Sequence, residues 1–208
     1  MGHLISINDK GEACIQPLND RCSAIQNTPV PHNIKSVRRF VGAVNYVSAF
    51  FLNVQAILRP LHKLSRKRKD FEWTSEHQQA FNEIKELMCQ PPILHIPQKN
   101  GKFILYSDTS RIATGSYLTQ KVNGEEHITG YYSKVLPQAC QRYSVTELEL
   151  FGLLINVTVF KYLLKSIEFE AYVDHSAIVD MLKSKQEPPT ARIGKLLLKL
   201  SEYTFKIL

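Results

Sequence analysis

The sequence predicts an α/β protein, a mixed sheet with packed helices preceded by a mainly helical region. Three observations carry this. After Gly101 come three β-rich runs, the last two separated by Asn123-Gly124, a hairpin turn signal. Val145 to Leu164 is strongly apolar and too long for a strand, so it reads as a helix buried against that sheet. Before residue 97, clusters of proline bracket stretches with helical periodicity.

Taken in order, Met1 to Ile7 is strand-forming, and Pro29 and Pro31 precede a helix expected from about Ile34 to Phe51. Arg66-Lys67-Arg68-Lys69 is a dense basic run that suits either phosphate contact or a solvated loop. Thr74 or Ser75 caps a second helix, Ser75 to Met88, whose Phe81, Ile84 and Met88 share one face. Pro91, Pro92 and Pro97 end this part, giving expected domains of 1–97 and 98–208. Strands follow at Phe103 to Ser107, Thr114 to Gln120 and His127 to Ser133, then the long helix and a strand Phe169 to Val173. Helices from about His175 to Leu182 and Thr190 to Glu202, and an apolar end Phe205 to Leu208, complete the pattern. Three strands, a helix, a strand and further helices imply a mixed sheet with helices packed on it.

With 208 residues, 44% hydrophobic and 22% charged, the chain can bury one or two cores. No apolar run approaches the roughly 20 residues that span a bilayer, and the first residues lack a basic-then-apolar leader. The expected location is therefore cytoplasmic or nuclear, with no membrane. Cys14, Cys22, Cys89 and Cys140 lack metal-ligand spacing and read as free thiols. A formal charge of +7 is compatible with a polyanionic partner.

Three acids stand at the ends of elements. Asp108 closes the run Phe103-Ile104-Leu105-Tyr106-Ser107, where an Asx-turn is the ordinary explanation. Asp174 closes Phe169 to Val173 and could equally cap the next helix. Glu147 ends Ser144-Val145-Thr146-Glu147, which is also a capping box. Leu150, Phe151 and Leu154 follow Glu147 at three, four and seven residues, so it is expected to face the sheet. Glu149 has Gly152 and Asn156 at three and seven, a more polar face, and Glu147 is the acid chosen for the site. Converging carboxylates repel unless a cation neutralises them, and an all-oxygen set points to Mg²⁺ or Mn²⁺.

These residues resemble a known family, the reverse transcriptases of gypsy-type long-terminal-repeat retrotransposons. Phe103 to Ser110 resembles the strand ending in Thr-Asp-Ala-Ser, and Tyr131-Tyr132-Ser133-Lys134-Val135-Leu136 resembles Tyr-Xaa-Ser-Arg-Xaa-Leu. Tyr143 to Leu150 and Tyr172-Val173-Asp174-His175 follow in family order. The resemblance implies a ribonuclease H-like mixed sheet in 98–208, C-terminally truncated, with Asp108, Glu147 and Asp174 as catalytic metal ligands. A fourth acid is expected in a segment beyond Leu208. Val37 to Tyr46, Arg59-Pro60-Leu61, Phe71-Glu72-Trp73-Thr74, Ala80-Phe81 and Pro92-Ile93-Leu94 are similar to the thumb and connection. There the resemblance makes Arg38 and Arg39 candidates for phosphate contact.

The implied activity is two-metal-ion, endonucleolytic hydrolysis of the RNA strand in RNA/DNA hybrids, with Mg²⁺ or Mn²⁺ as cofactor. The implied partners are an RNA/DNA hybrid or template-primer duplex, and the polymerase palm and fingers and the integrase of a parent polyprotein. The polymerase signature Tyr-Xaa-Asp-Asp is absent from these residues. The alternative from another class is a non-catalytic nucleic-acid-binding remnant of a retroelement.

Overall fold

The computed structural model describes residues 3–66, 71–89, 91–174, 178–179, 181 and 188–208. It divides the chain into two units, Met1–Ile96 and Pro97–Leu208. Of the expected features, most of the basic run Arg66-Lys67-Arg68-Lys69 and most of the helix from about His175 to Leu182 lie outside the described residues.

The first unit begins with a hairpin, β1 (His3–Ile7) and β2 (Ala13–Pro17), paired antiparallel. The Asn8 side chain closes its turn by accepting the N–H groups of Lys10 and Glu12 at 3.0 and 2.9 Å. A short third strand, β3 (Leu94–His95), pairs with β2. The sequence pattern did not show β2 and β3. β2 is five residues ending in proline and β3 is two residues, too short for period-two alternation to register.

Between the strands lie α1 (Asn19–Gln26), α2 (Ile34–Val47), α3 (Val54–Ile57), α4 (Arg59–Arg66) and α5 (Ser75–Leu87). A capping box starts α2: Asn33 Oδ1 accepts from the Ser36 N–H at 2.8 Å, and Ser36 Oγ accepts from the Asn33 N–H at 3.1 Å. The helix ends at Val47, and the expected end at Phe51 falls just past a 3₁₀ turn, Ser48–Phe50, that tightens the exit from α2. Val37, Phe40, Val44 and Val47 of α2 are buried, as are Leu61 and Leu64 of α4 and the expected Phe81, Ile84 and Met88. Phe40 meets Phe81 at 4.7 Å between ring centroids, and Trp73 stands edge-on to Phe81 at 5.9 Å.

The second unit is built on a sheet. Among the described residues it has five strands in the order β6-β5-β4-β7-β8. β4 (Lys102–Thr109), β5 (Ala113–Val122) and β6 (Glu125–Val135) form the expected antiparallel meander. Asn123 and Gly124 both have positive φ, 51° and 88°, which gives the tight turn the twist that a two-residue hairpin needs. The long apolar stretch forms α6 (Val145–Val159) and then α7 (Lys161–Leu164), broken at Phe160. Strand β7 (Glu168–Val173) returns parallel to β4; α8 (Ala191–Leu200) and β8 (Thr204–Ile207) follow, β8 parallel to β7. The result is the mixed sheet with packed helices that the sequence predicts.

Helix α6 lies on β4 and β5, with α8 against it. Leu105, Leu118, Leu150, Leu153, Val157, Phe169, Ala171, Ile193, Leu196, Leu200 and Ile207 fill the core. One row of the sheet is aromatic: Tyr172, Tyr106, Tyr117 and Tyr131 line up across β7, β4, β5 and β6. Their successive centroids are 5.0, 4.5 and 6.3 Å apart, the first two pairs stacked and Tyr131 tilted against Tyr117, cross-strand neighbours in register. Burial, followed by a hydrogen bond to Glu126, pushes the Tyr106 hydroxyl up to about 12.

Candidate active site

Register brings two of the three predicted acids together. Ser107 on β4 is the parallel partner of Val173 on β7, so Asp108 and Asp174 are the next residues along neighbouring strands. Strands in a sheet run about 4.8 Å apart, which sets these two positions side by side. Both residues are exposed.

The third acid facing them is Glu149. It is buried, and its carboxyl is pushed up to about 7, chiefly by burial and then by the negative charges of Asp108 and Asp174. Among the described residues no Lys, Arg or His forms an ion pair with Asp108, Glu149 or Asp174. Three carboxylates therefore share one region without a countercharge among the described residues.

Glu147, chosen from the sequence, does not join them. Its Oε2 accepts the backbone N–H of Ser144 at 3.0 Å, while Ser144 Oγ accepts the Glu147 N–H at 3.2 Å, closing the capping box. Its Oε1 accepts from Arg192 Nη1 at 3.0 Å and from Thr190 Oγ1 at 3.3 Å. The Ser144 N–H and then the Arg192 charge outweigh the opposing effect of burial and hold the Glu147 carboxyl below the usual range. It is spoken for by α8.

The physical reason lies in what covers the two faces of α6. Gly152 and Asn156, taken from the sequence as marking a polar outer face, lie against the sheet. A Cβ at Gly152 would overlap the Thr109 side chain, so glycine lets the helix settle onto β4. Asn156 is fully buried; its Nδ2 donates to Ser107 Oγ at 2.8 Å, Thr114 Oγ1 at 2.9 Å and the Gly115 carbonyl at 3.3 Å. Thr109 and Thr114 hydroxyls meet at 3.0 Å. Glu149, Gly152 and Asn156, at spacings of three and seven, form the stripe that faces the sheet. A mid-helix glycine costs about 1 kcal/mol relative to alanine, and its presence inside an apolar helix was the available signal.

The donor type suits a hard divalent cation: three carboxylates, oxygen only, with no ion pair to them among the described residues. Arg38 and Arg39 lie in the first unit, both exposed on α2. Arg38 Nε donates to the Ser65 carbonyl at 2.8 Å. Arg39 lines a cavity of about 540 Å³ between α1 and α2, with Arg21, Phe40 and Tyr46.

The chain is 31% identical over 207 residues, all of its length, to 16% of the retrovirus-related Pol polyprotein from transposon 412 of Drosophila melanogaster. It is 29% identical over 97% of its length to 15% of the transposon Tf2-3 polyprotein of Schizosaccharomyces pombe. Residues 73–171 match the model of the RNase H-like domain found in reverse transcriptase. This chain carries an RNase H-like domain of a retrotransposon reverse transcriptase polyprotein. It spans about a sixth of the length of these relatives.

Solved structures show the same fold. The foamy viral protease-reverse transcriptase in complex with dsDNA aligns over the whole chain and 45% of its own, with a TM-score of 0.78 at 19% identity. The same viral enzyme in complex with an RNA/DNA hybrid aligns over 99% of this chain and 29% of its own, with a TM-score of 0.74 at 18% identity. RNase H-like folds generally use divalent metals, consistent with the donor set around Asp108. Among the described residues no helix is long and apolar enough to cross a membrane.

Proposed function

We propose that the second unit hydrolyses the RNA strand of an RNA/DNA hybrid endonucleolytically in a metal-dependent reaction, with Asp108, Glu149 and Asp174 as the metal-holding carboxylates. The observation that carries this is the β4–β7 register that sets Asp108 beside Asp174 at adjacent strand ends, with the buried Glu149 carboxyl pushed up by burial and by their charges. A foamy viral enzyme of the same fold was captured with such a hybrid, which supports the substrate. Bound there, Mg²⁺ or Mn²⁺ would supply an activated water and neutralise charge developing on the leaving 3′ oxygen.

The protein's part is placement. Asp108 and Asp174 present exposed carboxylates from adjacent strand ends, and Glu149 adds a buried one from the first turns of α6. Gly152 and Asn156 hold α6 at the separation from β4 that this convergence requires. Arg38 and Arg39 of the thumb- and connection-like unit would contact duplex phosphates. The palm, fingers and integrase of a parent polyprotein would be its covalent neighbours, and a cytoplasmic particle its setting.

The test is cleavage of an end-labelled RNA/DNA hybrid with Mg²⁺ present. Asp108→Asn should cut at least about 100-fold more slowly, beyond the 10- to 100-fold typical of losing a residue that merely supports a ligand. Cleavage by Asp108→Asn at the parental rate would falsify the assignment. Tight hybrid binding without cleavage at any Mg²⁺ or Mn²⁺ concentration would mark a non-catalytic remnant.

A further inference from the structure

Arg192 stands where helix electrostatics disfavours it. It is the second residue of α8, in a first turn that has no acidic residue of its own, and aligned peptide dipoles leave partial positive charge at that end. Support comes from the neighbouring helix and the turn before it. Nη1 donates to Glu147 Oε1 at 3.0 Å, and the guanidinium carbon lies 4.3 Å from the Tyr143 ring centroid. An ion pair and a ring face together fix both the position and the plane of the guanidinium.

Such support is more than stability asks for. The Arg192 side chain is 50% exposed, and a pair with one partner so exposed contributes little to stability. A cation in a helix's first turn carries a small cost of its own. Meanwhile a single hydrogen bond to a described residue engages the five N–H donors of the fork. What remains is a rigid, half-exposed cation with donors to spare among the described residues, joined through Glu147 to the first turn of α6.

We infer that Arg192 binds a backbone phosphate of the nucleic-acid strand that enters the Asp108, Glu149 and Asp174 site, and that Glu147 and Tyr143 hold its guanidinium for that purpose; the identity of the polyanion rests on the nuclease reading. The fork matches two phosphate oxygens. The start of α8, where Thr190 Oγ1 caps the Ile193 N–H, adds the helix's positive pole. Arginine is required over lysine because only a planar group can both stack on Tyr143 and bind bidentately.

The experiment is fluorescence anisotropy of a fluorescein-labelled RNA/DNA hybrid with the full chain, without divalent cation, across a KCl series. Arg192→Gln should weaken binding about 3- to 10-fold near 0.1 M salt and flatten the slope of log affinity against log salt by about one unit. Arg192→Lys should keep the slope and recover only part of the affinity. In hybrid cleavage, Arg192→Gln should raise KM with kcat within about twofold of the parent. Parental affinity and slope in Arg192→Gln overturn the inference, as does weaker binding with an unchanged slope, which marks a structural role. If Arg192→Gln does not fold, Arg192→Lys decides: parental affinity in that variant overturns bidentate recognition. Because the primary readout is binding, it stands or falls separately from cleavage. A parent that binds hybrid through Arg192 but never cuts it refutes the nuclease reading alone.

Discussion

Glu147 and Glu149 share the first turns of one helix, are both buried, and lie two residues apart, yet their carboxyls are driven in opposite directions. Glu147 receives hydrogen bonds from a backbone amide, a hydroxyl and a guanidinium, and is held ionised. Glu149 meets burial and two negative neighbours, and is pushed to about 7. Solvent access does not separate them. What separates them is whether the described residues supply donors and a countercharge, as at Glu147, or further negative charge, as at Glu149. A buried carboxylate with protein donors is held ionised, whereas one facing other carboxylates is held protonated to higher pH, which is the environment expected of a functional acid.

The contrast breaks most sharply in activity. Glu149→Gln should lose at least about 100-fold in Mg²⁺-dependent hybrid cleavage, and Glu147→Gln, which can still accept the Ser144 N–H, should stay within about 10-fold. If the two rank the other way in a single-turnover assay, Glu147 is the metal-holding acid after all.

Stability against pH should sharpen the pair next, in cation-free protein. The folded Glu149 carboxyl titrates above its ordinary value of 4.5. Between pH 4.5 and about 7 the unfolded chain releases a proton that the folded chain keeps. Stability is therefore lost as pH rises through that window, by on the order of 2 to 3 kcal/mol, and is flat above it. For Glu147, whose folded pKa is lowered, stability is full above pH 4.5 and lost as pH falls through the folded value. In urea melts Glu149→Gln should be the more stable protein at pH 8, and Mg²⁺ should raise the Tm of the parent but not of that variant. A variant less stable than the parent at pH 8 would contradict this.

Smaller effects test the support beneath each acid. Gly152→Ala forces a methyl into the Thr109 side chain and should cost about 1 to 3 kcal/mol, lowering cleavage by lifting Glu149 while the Glu147 side of the helix stays capped. Thr190→Ala removes the N-cap bond to the Ile193 N–H and should cost about 1 kcal/mol, with cleavage nearly intact. Equal loss of cleavage in both would show that the two faces of α6 are not separable.

Much of this architecture is visible in sequence because its determinants are local. Asn123-Gly124 specifies a hairpin by backbone conformation alone, and the strand-end positions of Asp108 and Asp174 follow from the apolar runs before them. The Ser144 to Glu147 capping box is equally local, and it is present. The choice between the two glutamates was not. Polarity stood in for exposure, and at Gly152 and Asn156 it pointed outward when the structure turns both inward to a buried network of Ser107, Thr109 and Thr114. The partner that claims Glu147 is Arg192, 45 residues away along the chain, and no periodicity links positions so far apart. β2 and β3 escaped for the opposite reason, being too short to carry a pattern.

The aromatic side chains divide between the two units in a way that makes each one separately observable. Trp73 is the single tryptophan and lies in the first unit, while eight of the nine tyrosines lie in the second. Four of these form the row across β7, β4, β5 and β6. Indole emission thus reports the melting of residues 1–96, and the near-ultraviolet dichroism of coupled phenol rings reports the sheet of residues 97–208. One unlabelled sample then reads whether the two halves unfold together or in turn.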